Sequence, residues 1–261
     1  MSILKITIIL LVFFLSACSS RRKDDYKKKI NYNIDLFIYK ADYEKALKYI
    51  DSVTFSYKLD EDFKKHLLFK EAEIKYLYSG KNKEAYDIMK NIYKNKNFLP
   101  SDYDKLITYL TDISQKTDRQ NYGYFLKEIF EYKKNKEVFY KYYNFLKSEK
   151  NYGKIKELLK KADFLENDEK IYFELDLNAT MINDFEKNLE NFNRALKKVK
   201  NSRIKDKILI EKLLYLEKNE KLDFKLALEW LKEIKNKEYS DFVKNKKIFY
   251  NKQLSLYEKK K

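Results

Sequence analysis

Turn-forming and reactive residues are scarce in this chain of 261 residues, which has three glycines, one proline, one cysteine, one histidine and one tryptophan. Between Ile30 and Tyr257 the only proline is Pro100, and the glycines Gly80, Gly123 and Gly153 stand alone. A sheet built on tight hairpins needs more turn residues than that, so helix is the default reading. Isolated glycines also exclude a glycine-rich phosphate loop, and no run of alternating Asp or Asn followed by Gly forms a calcium loop. A single cysteine excludes a disulfide within the chain. One histidine and one cysteine cannot build a His/Cys zinc site or a nucleophilic triad, and His66, beside Leu67 and Leu68, reads as a surface or half-buried helix residue. No catalytic residue, metal ligand or cofactor is expected.

What the chain has in excess is lysine and tyrosine. Lys and Arg number 57 against 41 Asp and Glu, a formal net charge of +16, and there are 24 tyrosines and 18 phenylalanines. A hydrophobic share of 44% is enough for one sizeable elongated domain. The basic excess favours anionic partners through its summed field. Interleaved Lys and Tyr suit base stacking, but no recognition motif for nucleic acid is present. Anionic headgroups, cell-wall polymers or an acidic protein fit better. The alternative is that the lysines form a solvated face.

At the N-terminus Lys5 precedes a run from Ile6 to Leu15 that is apolar apart from Thr7, then small residues ahead of Cys18. Such a charge, apolar run and small-residue site form a secretory signal. The run is about half of the roughly 20 residues that a membrane-spanning helix needs. Leu15-Ser16-Ala17-Cys18 resembles the bacterial lipobox at all four positions. The resemblance implies a signal peptide over 1–17 that is removed, and a diacylglycerol (with further palmitate-type acylation) on Cys18 as a stable anchor. Loss of Lys5 with the signal leaves +15. Ser19, the residue after the lipidated Cys, implies the outer membrane over the inner one in a cell with two. Residues 18–29, with Arg21, Arg22, Lys23, Lys27, Lys28 and Lys29, read as a basic tether.

From 30 to 258 a pattern recurs in which an aromatic residue is followed by apolar ones three, four, seven and ten positions later. It starts at Tyr43, Asn82, Tyr122, Tyr152, Phe185 and Phe224. The second position is Ala46, Ala85, Phe125, Ile155, Asn188 and Ala227, and only Asn82, Lys156 and Asn188 break the apolar stripe. A period of 30 to 40 residues predicts helix pairs that bury their faces by stacking. Pro100, Ser101 and Asp104 form a capping-box pattern ahead of a helix carrying Leu106, Ile107, Leu110 and Ile113.

Ala41-Asp42-Tyr43-Glu44-Lys45-Ala46-Leu47, and Tyr76 with Gly80 and Ala85 ahead of Met89, resemble the tetratricopeptide repeat (TPR). Later copies depart from it, since Phe125, Ile155 and Asn188 replace the small residue and most turn glycines are missing. The resemblance implies an all-α, right-handed superhelical stack of helix-turn-helix repeats, with HEAT-like or irregular helical pairs as alternatives. It also implies a non-enzymatic scaffold that binds a protein or peptide in the cell envelope along the first helix of each pair. Asn31, Asp35, Lys70, Tyr78, Tyr140, Asn144 and Thr180 are the residues it places near that surface. Rival readings are an enzyme that binds or hydrolyses cell-wall polymer through a carboxylate pair, and a surface-exposed adhesin. Trp230 reads as repeat packing rather than a sugar platform.

Overall fold

A computed structural model describes residues 25–56 and 58–258. Among them every regular element is helical: α1 (25–39), α2 (Tyr43–Ser56), α3 (Glu61–Leu77), α4 (Asn82–Lys94), α5 (Tyr103–Thr117), α6 (Arg119–Lys133), α7 (Lys136–Ser148), α8 (Tyr152–Lys161), α9 (Asn167–Met181), α10 (Phe185–Lys198), α11 (Ser202–Lys218), α12 (Phe224–Glu233) and α13 (Ser240–Glu258). Short 3₁₀ turns at Pro100–Asp102 and Lys237–Tyr239 precede α5 and α13. The helices divide into two compact units, one ending at Tyr132 and one beginning at Lys133.

Each sequence repeat coincides with the second helix of a pair. Tyr43, Asn82, Tyr152, Phe185 and Phe224 are the first residues of α2, α4, α8, α10 and α12, and Tyr122 lies three residues into α6. The second position of the pattern is buried in all six copies, and so is the fourth: Ile50, Met89, Ile129, Leu159, Phe192 and Leu231. Consecutive helices from α2 to α5 and from α7 to α13 pack on one another, and α9 also touches α11, the first helix of the next pair. The fold is an all-α stack of helix-turn-helix repeats.

Side-chain caps start many of the helices. Asp60, Asn135, Asn151, Asp184, Asn201 and Asp223 each accept a hydrogen bond from a backbone N–H two or three residues on, satisfying donors that the helix cannot. The capping box expected at Ser101 and Asp104 does not form. Pro100 opens a 3₁₀ turn instead, and α5 begins at Tyr103 with Asp102 at its N-cap but no capping bond from that side chain. Leu106, Ile107, Leu110 and Ile113 are buried as expected. The tether also differs from expectation. The apolar face of α1 begins at Tyr26 and continues through Ile30 and Ile34 into the first core cluster, so Lys27, Lys28 and Lys29 belong to a helix, and Lys27 pairs with Asp60 at 2.8 Å.

The shortage of glycine shows at the helix ends. Gly80 takes a left-handed φ of 65° after α3, but Ala41, Lys96, Lys134, Lys150 and Glu220 take similar values, between 43° and 57°, without glycine's freedom. At Lys150 the Asn151 N–H donates to the Leu146 carbonyl and the Lys150 N–H to the Lys147 carbonyl; Glu220 repeats this pattern with Leu216 and Glu217. These are Schellman closures that favour glycine at the left-handed position. That conformation costs an L-residue about 1–2 kcal/mol, partly offset because glycine gains entropy in the unfolded chain. Lys150→Gly and Glu220→Gly are therefore each expected to raise stability by about 0.5–1 kcal/mol in urea unfolding. Lys156→Gly, on the exposed face of α8, is expected to lose about 1 kcal/mol. Destabilisation by all three would refute the assignment.

Candidate functional site

In the second unit the first halves of α7, α9 and α11, the first helices of three successive pairs, border a cavity of about 590 Å³. Lys136 and Tyr140 come from α7, Glu169, Tyr172 and Phe173 from α9, and Arg203, Ile204 and Lys207 from α11; Glu166, Asn201 and Tyr239 close its edges. Helix starts bring these residues together because each is held by its neighbour. The Asp168 carboxylate on α9 accepts the backbone N–H groups of Lys200 and Asn201, and Asp206 on α11 does the same for Lys235 and Asn236. A carboxylate near the start of one helix thus fixes the approach to the next first helix.

The cavity combines aromatic faces with charges that are mostly paired within it. Lys136 lies 2.9 Å from Glu169 and 3.7 Å from Glu166, and Arg203 holds both carboxylate oxygens of Glu238 at 2.9 and 3.0 Å. The Glu169 hydrogen bond raises the Lys136 amine above its usual range. Lys207 sits 4.1 Å over the ring of Tyr172, a cation–π contact. The Tyr172 hydroxyl donates to Glu211 behind the wall. Burial pushes that phenol up, with the Glu211 charge adding to the effect, and burial also raises the Glu211 carboxyl. Tyr140, 39% exposed, leans on Phe173 with ring centres 5.4 Å apart. Such a surface offers apolar faces and hydrogen-bonding groups together, the mixture that fixes a bound chain in one pose.

The residues expected along the first helices divide among several places. Tyr140 lines the cavity. Asn144 is exposed one turn further along α7, and Thr180, near the end of α9, bonds its own helix at the Asp176 carbonyl. In the first unit Lys70 stands 3.5 Å from both Asp35 and Glu73, and Tyr78 stacks on Tyr43 at 5.2 Å. Asn31 borders a separate recess of about 400 Å³ with Lys27, Lys28, Asp62, Phe63, His66 and Leu99. His66 is half-buried against Phe63, and burial lowers its pKa. Cys18 and the signal residues lie outside the described residues.

Polar links between repeats went unread in the sequence. Tyr109 on α5 donates to Glu73 on α3, Tyr143 on α7 to Asp176 on α9, and Tyr172 on α9 to Glu211 on α11. Among the second helices Tyr86 and Tyr93 on α4 donate to Asp118 and Glu128 at and within α6. The separations run from 32 to 39 residues, within the span of the repeat spacing. Tyrosine suits this role because its ring packs in the stack while its hydroxyl reaches the next repeat.

Among the described residues no helix is long and apolar enough to cross a membrane, and no group of three or more His, Cys, Asp or Glu is placed to hold a metal. No protein-family model and no curated sequence matches the chain. Among solved structures it is similar to the nearly identical TPR-like repeats assigned to a kinesin light chain of Podosopora anserina. Identity is 11% over 79% of this chain and 92% of that one, with a TM-score of 0.26.

Proposed function

We propose that this chain is a non-enzymatic scaffold, a TPR-like repeat protein held in the cell envelope by lipid on Cys18, that docks another protein or peptide. Ser19 favours the outer membrane in a cell with two. The observation that carries the docking reading is the cavity across α7, α9 and α11, where Tyr140, Tyr172, Phe173 and Tyr239 stand among fixed charges. Three successive first helices contribute to it, so an extended segment lying across them meets all three helix pairs of the second unit. No hydrolytic role is proposed, because the two carboxylates that line the cavity, Glu166 and Glu169, both face Lys136.

A photo-crosslinking phenylalanine analogue at Tyr140 in living cells is expected to capture a defined partner, and the same analogue at Thr180 is not. Equal capture at both positions, or none at Tyr140, would remove the cavity as the seat. The anchor has a separate test. Cys18→Ser leaves no thiol to take the diacylglycerol, so metabolic labelling with a fatty acid should fall to background, and label persisting on the variant would end the lipoprotein reading.

A further inference from the structure

The first helix carries two tyrosines that the repeat stack leaves exposed. In α1 the core side is Ile30 and Ile34, fully buried, flanked by Tyr26, Phe37 and Ile38. At 100° per residue, Lys28, Tyr32, Asp35 and Tyr39 fall on the opposite side. Tyr32 is 66% exposed and Tyr39 88% exposed. Lys28, Lys29 and Lys40 are exposed around them, and the Asp35 carboxylate is drawn towards Lys70. A fully solvated helix face has no need of two tyrosines seven residues apart.

We infer that this face of α1 lies on an anionic lipid surface, with Tyr32 and Tyr39 at headgroup level and Lys28, Lys29 and Lys40 towards the phosphates. The inference rests on the lipid anchor proposed above. Six residues lie between Cys18 and Asp25, seven steps along the chain that span at most about 25 Å when fully extended. A lipid on Cys18 therefore keeps the start of α1 within reach of the bilayer surface. Tyrosine, apolar in its ring and polar at its tip, collects at the membrane–water boundary, and lysines there snorkel to the phosphates, each adding about 1 kcal/mol of attraction on anionic lipid. The exposed residues on this face supply both kinds of contact. The basic residues Arg21, Arg22 and Lys23 upstream match the same partner in charge.

The chain from Ser19 to Lys261 tests the face without the anchor, since Tyr32 and Tyr39 are exposed and their loss leaves the core unchanged. On phosphatidylcholine vesicles containing phosphatidylglycerol, at physiological salt, Tyr32→Ser with Tyr39→Ser is expected to lower partitioning about tenfold. Tyr132→Ser, a 55% exposed tyrosine on α6, is expected to leave it unchanged. In Tyr39→Trp, emission in excess of the parent's should shift to the blue and be quenched by lipids brominated on the acyl chain. Unchanged partitioning of the double variant, absence of that quenching, or a concentration-dependent dimer that the double variant abolishes would each overturn the inference, the last by giving the face to a second copy. Fatty-acid labelling of Cys18 reads the anchor independently. A labelled Cys18 with tyrosine-independent partitioning would sink this inference and leave the anchor standing.

Discussion

Ala227→Asp is expected to unfold the end of the second unit, and Ala46→Asp the beginning of the first. Both alanines are fully buried where two helices meet. Ala227 belongs to a cluster with Leu213, Leu231 and Tyr250, and Ala46 to one with Ile30, Ile50 and Val53. An unpaired carboxylate there costs several kcal/mol, and its bulk also forces the helices apart. In a stack each repeat stabilises only its neighbours, so the lost helical signal should extend one repeat beyond the substitution rather than across the whole chain. Circular dichroism during thermal unfolding checks this. Leu226→Asp, adjacent in sequence but 41% exposed, is expected to change stability by about 0.5 kcal/mol or less. Parent-like melting of both alanine variants would show that these positions are not the packing centres of their pairs.

How far the sequence could be read depended on how many neighbours a helix has. A second helix such as α4 buries Ala85, Tyr86, Met89 and Ile92 along one stripe, which a period of 3.6 residues reveals. A first helix is packed on several sides. α9 touches α8, α10 and α11, and its buried residues Phe173, Leu175 and Leu177 alternate as they would in a strand. α11 buries seven residues, among them Asp206 and Lys212. No single stripe exists to be found on such helices, so their surfaces stayed blurred, and of the seven residues placed along them only Tyr140 reached the cavity. The breaks in the stripe have physical answers. Asn82 and Lys156 are exposed on their helices, and Asn188 is buried but donates to the Ile182 carbonyl and the Tyr215 hydroxyl. The tyrosine–carboxylate links pair residues a repeat apart, a signal that emerges only once the repeat register is known. The Asn and Asp caps were legible by residue type but sit among so many other polar residues that their positions needed the helix boundaries.

Asp118 is the most connected of those links. It precedes α6, accepts the Asn121 backbone N–H at 3.2 Å, and gathers the Asn121 side chain, the Tyr86 hydroxyl and the Lys90 amine within 2.6 to 3.2 Å. Burial pushes its carboxyl up, but hydrogen bonds from Asn121, Tyr86 and Lys90 outweigh that and hold it at about 2. A carboxyl whose folded pKa lies below its unfolded value near 4 adds stability above that value and loses it as the pH falls towards 2. The part that titrates this way is about 2 kcal/mol. Asp118→Ala removes the N-terminal cap of α6 and leaves the Tyr86 hydroxyl without its acceptor, so the expected cost near neutral pH is about 3 kcal/mol. Asp118→Asn keeps one oxygen for the cap at the Asn121 N–H but sets an amide NH2 where Tyr86 and Lys90 donate, and it has no charge for Lys90. It is expected to cost less and to flatten the fall in stability between about pH 4 and pH 2. Urea unfolding at a series of pH values, followed through tyrosine fluorescence, separates the two effects. If Asp118→Asn retains the parent's acid limb, other carboxylates carry it and the links at Asp118 are held by geometry alone.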